Sequence, residues 1–292
     1  MGTTIEGVTA VAGGWPSRHS ALRLAVAAGR SALASSGHTP HEIELLINAG
    51  LYRDRNLEEP ALAPLIQEDL GLNPEDPHPG GRGTLSFDVA NGACGALTAL
   101  QVADGFLRAG TVTHALVVTS DADPGHGMAP GFPFAPAGGA LVCRFTDDEQ
   151  GLGSFRWVNE PDGGEGFRST LKLVGHRNIL AIEYQDVFAA RAGGVAAKAA
   201  QEVLAEHQLL ADGVELVVAS PARPEFVGSL ATGLGLPAER IVTAGPELHT
   251  VAFIAALKEV IRTGALAATR TVLFVAAGAG ITAGAALYRP PH

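Results

Sequence analysis

The sequence predicts an α/β protein built as two pseudo-symmetric halves, and three observations carry that prediction. Short apolar runs without polar alternation recur between helical stretches, the pattern of strands covered on both faces. A grammar of helix end, turn and buried strand is written twice, as GHTPHEIELLINAG at 37–50 and EHQLLADGVELVVAS at 206–220. A second pair keeps the same order: Leu107-Arg108-Ala109-Gly110 leads to the strand His114–Thr119, and Ile261-Arg262-Thr263-Gly264 leads to Thr271–Val275. The halves fall at residues 1–150 and 151–292, without a flexible linker between them. A chain of 292 residues that is 47% hydrophobic and only 17% charged can bury a core large enough for both.

In chain order, residues 19–35 are Ala-rich with apolar positions three and four apart, which predicts a helix. Phe87–Ala90 reads as a strand and Asn91-Gly92-Ala93 as a turn; Cys94 then opens a helix over 94–109. The strand His114–Thr119 is followed by a Gly- and Pro-rich loop at 124–138 and by the strand Gly139–Arg144. In the second half, 151–170 is again rich in Gly, which predicts a loop, and 187–206 repeats the Ala-rich helix chemistry. Leu216–Ala219, Thr271–Val275 and Gly284–Arg289 are the strands that answer those of the first half.

Composition excludes several functions. The net charge is −10, and Lys/Arg runs longer than isolated pairs are missing, so nucleic acid and acidic membrane surfaces are poor partners. No apolar stretch approaches the roughly 18–20 residues of a membrane span, and the N-terminus lacks signal-peptide patterning. A cytoplasmic location is the resulting expectation. The two cysteines, Cys94 and Cys143, show no CxxC or HExxH spacing, so neither a metal nor another cofactor is expected.

Cys94 stands at a predicted helix start, where the dipole and unpaired N–H groups favour a thiolate. Gly92, Ala93, Gly95 and Ala96 leave room for a substrate beside it. The same position also suits a small buried apolar residue, the usual fate of a lone cysteine. Cys143, inside a strand, reads as inert core.

The segment FDVANGACGALTALQVADGFLRAGTVTHALVVTSDAD at 87–123 resembles the nucleophile segment of β-ketoacyl-ACP synthase III in the thiolase superfamily. Upstream, PALAPLIQEDLG at 60–71 resembles that family's interface helix, and Ala276–Leu287 resembles its Gly-rich turn and last strand. The resemblance runs through most of the chain. It implies the thiolase fold, an αβαβα stack of the two halves, and a homodimer or a heterodimer with a relative. It also implies an acyl-Cys94 thioester formed from acyl-CoA or an acyl carrier protein, with Ala279 and Cys94 supplying oxyanion-holding N–H groups.

The chain departs from the family where the second half-reaction is catalysed. Ser220 stands in place of the synthase His, and Glu247 falls nearest the synthase Asn. Superposing the helix ends 107–110 and 261–264 puts His249 opposite Gly95, one residue beyond Cys94. His249 is therefore the expected replacement base, with packing as the bland alternative, and Glu247 its orienting partner or a separate acid. Glu59 takes the place of a Phe that closes the partner subunit's acyl pocket, and is either a base reaching that pocket or a solvated helix-start residue. The N-terminal segment that grips the CoA adenine is shortened, and Lys172, Arg177 and Arg191 are the candidates for a carrier-protein patch. The sequence thus predicts an acyltransferase without decarboxylative elongation, serving fatty-acid-like or specialised biosynthesis. A non-catalytic partner subunit of such a synthase is the alternative.

Overall fold

The computed structural model describes residues 2–15, 17–73, 82–162, 164–185 and 187–291. Its first sheet joins β1 (Gly2–Ala12), β2 (Leu45–Asn48), β3 (Leu85–Asp88), β4 (His114–Asp121) and β5 (Ala137–Thr146), in the order β1-β5-β4-β2-β3. The second joins β6 (Gly151–Asn159), β9 (Leu216–Ser220), β10 (Ile241–Val242), β11 (Val272–Gly278) and β12 (Thr282–Arg289). Its order, β10-β9-β11-β12-β6, is that of the first sheet once the repeat is applied. In both, the middle strands run parallel and the hairpin partner antiparallel: β4 with β2 and β5, β11 with β9 and β12. The strands of one sheet thus come from residues 2–146 and those of the other from 151–289.

Three apolar clusters show how the sheets stack. The helices α1 (Ala21–Ser36) and α2 (Leu62–Leu70) cover one face of the first sheet through Leu24, Ile66, Leu116 and Val142. The helices α4 (Val187–Glu206) and α5 (Pro224–Leu234) cover the outer face of the second through Val203, Phe226, Leu230 and Leu273. Between the sheets lie α3 (Gly95–Arg108) and α6 (Ala252–Arg262), packed through Leu97, Leu100, Phe253, Leu257 and Phe274. The result is five layers, helix–sheet–helix–sheet–helix, with the two pseudo-equivalent helices at the centre. Leu97, Phe253 and Phe274 are fully buried there, each worth about 1.5–3 kcal/mol of apolar burial.

One expectation is corrected. Residues 151–170 are not a loop: β6 occupies Gly151–Asn159, and β7 (Phe167–Val174) pairs with β8 (Arg177–Tyr184) as an added hairpin. The local glycines argue for a loop, but β6 is held by its ladder to β12, and such tertiary pairing outweighs local propensity. The 124–138 stretch is largely irregular as expected, with β5 beginning at Ala137.

Candidate active site

The site forms where the ends of β4 and β11 meet the starts of the two central helices. After β3, residues Gly92–Cys94 make one 3₁₀ turn, and Cys94 is the N-cap of α3. Gly92 holds φ +47°, a left-handed conformation that most side chains resist, and its open face meets the His249 ring. A Cβ on Gly92 would lie 3.8 Å from Cε1 and 3.9 Å from Nε2 of His249. Gly278, the last residue of β11, approaches from the other side, where a Cβ would stand 3.5 Å from the Cys94 sulfur. The repeat reading therefore holds in space: His249 packs on the turn that carries Cys94.

Cys94 itself departs from the expected electrostatics. The residue is fully buried, and burial pushes its thiol up to about 12. Its S–H donates to the Thr282 carbonyl at 3.4 Å, which holds the neutral form. The backbone N–H of Cys94 donates to the Asn91 carbonyl at 2.9 Å and closes the 3₁₀ turn. That N–H is committed within the fold, so it does not face an oxyanion as the resemblance implied. The helix start is present, but desolvation outweighs its dipole at this sulfur.

His249 is caged by aromatic rings: Phe134 at 4.5 Å, Tyr52 at 5.2 Å and Phe167 at 6.1 Å between centroids. Its Nδ1 is sealed from solvent and has no hydrogen-bond partner among the described residues. Burial lowers the imidazole pKa, and the Asp121 carboxylate pulls the other way. Asp121, at the end of β4, accepts from both the N–H and the hydroxyl of Thr250, each at 2.8 Å, and from the Tyr52 N–H at 3.4 Å. It thereby pins the backbone beside His249. The sequence carried a signal for it, an acid closing the apolar strand ALVVTSD, that the repeat reading passed over.

The other expected residues divide. Ala279 lines the cavity, in the turn between β11 and β12. Glu247 does not line it: the residue is exposed and its carboxylate curls back over Gly245, so the acid that acts on His249 is Asp121. Glu59 is exposed and also outside the cavity of its own chain. Ser220 is buried, with its hydroxyl 3.5 Å from the Ala93 carbonyl, so it touches the turn that carries Cys94.

Gly92, Ala93, His249, Gly278 and Ala279 line a cavity of about 540 Å³, with Cys94 buried behind that wall. Phe134, Phe167, Ile182, Tyr184 and Phe188 make it largely apolar, and the β7–β8 hairpin forms one wall. Two cations line it as well. Arg223 stacks over the Tyr184 ring at 5.1 Å, and Arg168 sits on β7 beside Gly164. Both were missed in the sequence, because one precedes α5 and the other stands on a hairpin read as loop.

The comparisons agree with this geometry. A family model described as 3-oxoacyl-[acyl-carrier-protein (ACP)] synthase III C terminal matches residues 204–290. The β-ketoacyl-[acyl-carrier-protein] synthase III of Rhizorhabdus wittichii is 30% identical over 282 residues, which cover 91% of this chain and 83% of that protein. The enzyme of the same name from Sphingopyxis alaskensis is 32% identical over 279 residues, covering 90% and 81%. Among solved structures, 3-oxoacyl-(acyl carrier protein) synthase III from Pseudomonas aeruginosa superposes with a TM-score of 0.81 at 21% identity, over 100% of this chain and 99% of that one. OleA of Xanthomonas campestris, solved with bound lauric acid and lauroyl-CoA, gives 0.81 at 14% identity over 99% of each chain. The five layers are those of the thiolase fold.

Proposed function

Because the chain belongs to the β-ketoacyl-[acyl-carrier-protein] synthase III family, we propose that it is an acyltransferase whose nucleophile is Cys94. The observation that carries this reading is that His249, Ala93 and Gly278 line one apolar cavity while Cys94 lies buried directly behind Gly278 and Ala93. His249, kept neutral by burial, takes the thiol proton as the sulfur attacks the carbonyl of an acyl thioester. The new C–S bond forms, the donor's C–S bond breaks, and the leaving thiolate recovers the proton. The acyl group then rests on Cys94 until an acceptor O–H, N–H or carbon nucleophile displaces it and regenerates the thiol. Ala279 remains the candidate for the oxyanion N–H, and no resident cofactor enters these steps.

The donor is an acyl-CoA or an acyl carrier protein, and the aromatic walls suit its acyl chain while Arg168 and Arg223 suit its phosphates. Ser220 has no ring nitrogen to offer a malonyl carboxylate's thioester carbonyl, which argues for transfer without decarboxylation. The edge strand β3, with Leu85 half exposed, supports pairing with a second copy or a relative.

A second reading, a non-catalytic partner subunit, is favoured by one observation: the raised Cys94 pKa with its S–H and N–H both committed. Intact-protein mass measurement after incubation with panels of acyl-CoA and acyl carrier protein separates the two. The enzyme reading expects an acyl adduct that Cys94→Ala abolishes and His249→Ala slows. Absence of an adduct with every donor would establish the partner reading instead.

A further inference from the structure

Three side chains that are far apart in sequence meet at the opposite end of the first sheet. Glu6 lies on β1, His38 just beyond α1 and His114 at the start of β4, and one ligand atom from each lies within 4.8 Å of the others. His114 and Asp121 stand at the two ends of β4, about 23 Å apart along the strand. The cluster is therefore remote from the Cys94 cavity.

The fold builds the cluster with particular devices. Glu6 is the extra residue of a β-bulge, where the β1–β5 register slips between Ile5 and Gly7. Bulges re-aim side chains, and this one carries the carboxylate to His38. Gly7 lets β1 close on the last turn of α1, since a Cβ there would stand 2.8 Å from the Ala32 carbonyl oxygen. His38 follows directly on Gly37, whose left-handed φ of +76° ends the helix, and its own N–H bonds to the Leu33 carbonyl. Glu6 Oε2 and His38 Nε2 are 2.7 Å apart, and the two imidazole rings lie 4.5 Å apart between centroids.

The surrounding groups orient this trio in the manner of a metal site's outer shell. Glu42 Oε1 is 3.5 Å from His38 Nδ1, which leaves Nε2 to face Glu6. The Thr113 hydroxyl lies 3.1 Å from His114 Nδ1 and is itself anchored on Glu44. Metal-bound histidines carry this kind of partner on their second nitrogen. Arg144 Nε donates to Glu6 Oε1 at 2.9 Å, so Glu6 offers only Oε2. The groups facing the trio are thus Glu42, Glu44, Thr113 and Arg144.

We propose that Glu6, His38 and His114 form a binding site for a divalent transition metal, with zinc the best chemical match, that ties β1, the end of α1 and β4 together. Two imidazoles and one carboxylate are a zinc donor set, at bond lengths of about 2.0–2.2 Å, with the fourth position left to water. At this distance from Cys94 the metal acts as a clamp on the fold and not on acyl chemistry.

Calorimetric titration of the tag-free full chain with zinc at neutral pH tests the site. The expected result is one zinc per chain, with affinity falling at least tenfold in both His38→Ala and His114→Ala. His126→Ala combined with His176→Ala, in the loop beyond the opposite end of β4 and in the β7–β8 turn, should bind like the unaltered protein. Zinc should also raise the thermal unfolding midpoint of the unaltered chain but not of His38→Ala, with circular dichroism confirming that each variant is folded. The proposal is overturned by absence of saturable binding to the unaltered chain. It is equally overturned by unchanged affinity in the folded His38 and His114 variants, or by loss of binding in the control.

Discussion

The buried setting of Cys94 makes a quantitative prediction about pH. Moving the thiol from its ordinary 9.0 to about 12 disfavours the thiolate by about 4 kcal/mol. At pH 8 an ordinary thiol is about one-tenth ionised, whereas Cys94 would be ionised in about one molecule in ten thousand. Alkylation by iodoacetamide, followed by intact mass and peptide mapping, should therefore run on the order of a thousandfold slower than for a simple thiol. The diagnostic quantity is the slope, which steric access does not alter: the rate should rise about tenfold per pH unit from 6 to 9 without levelling. His249→Ala should leave that slope intact, because no imidazolium holds the sulfur as an anion. A plateau with an apparent pKa between 6 and 8, lost in His249→Ala, would show a resting thiolate–imidazolium pair and refute the reasoning. With an unbroken slope the resting pair is neutral, and His249 acts only at the moment of attack, as proposed above.

Two further perturbations test the frame around the site. Asp88 is half-buried and accepts from the N–H groups of Leu62 and Ala63, from Asn48 and from Arg53. Burial pushes its pKa up, but these bonds outweigh it and hold the carboxyl below the usual 3.8. Asp88→Ala removes the 2.7 Å carboxylate partner of the buried Arg53, which keeps its bonds to the Glu58 and Pro60 carbonyls, and should cost about 1–3 kcal/mol in urea unfolding. Because the folded pKa is lowered, the stabilisation is complete above the unfolded carboxylate pKa and fades as pH falls through the folded one. The gap between the two proteins should therefore close in acid, and a gap that stays constant to pH 2.5 contradicts the assignment. Asp121→Asn weakens the two bonds to Thr250 and should cost about 1–3 kcal/mol. It should also slow Cys94 acylation non-additively with His249→Ala in a double-mutant cycle; strict additivity would mean that Asp121 does not act through His249.

The internal repeat makes much of this protein legible in the sequence alone. Paired helix ends at Gly110 and Gly264 marked α3 and α6 as equivalents, and that equivalence put His249 beside the Cys94 turn. Helix α4 was readable to the residue because Ala-rich chemistry with an apolar stripe is local information. The β6 and β7 strands were not readable, since their pairing with β12 and β8 depends on residues elsewhere in the chain. Glu247 was misjudged for a related reason. Its position in the alignment places its backbone near the site, but the side-chain direction over Gly245 is decided by the loop's own geometry.

What the sequence by itself determined was the layered α/β plan and the family resemblance, with Cys94 singled out at a helix start. These rest on periodicity, on motif order and on residue type, all of which survive in one dimension. The tertiary structure alone decided the burial of Cys94, the place of Asp121 beside Thr250 and His249, and the meeting of Glu6, His38 and His114. Each of those depends on burial and on distances between segments more than thirty residues apart. Desolvation and ligand convergence are properties of a packed volume, and the order of residues along a chain does not contain them.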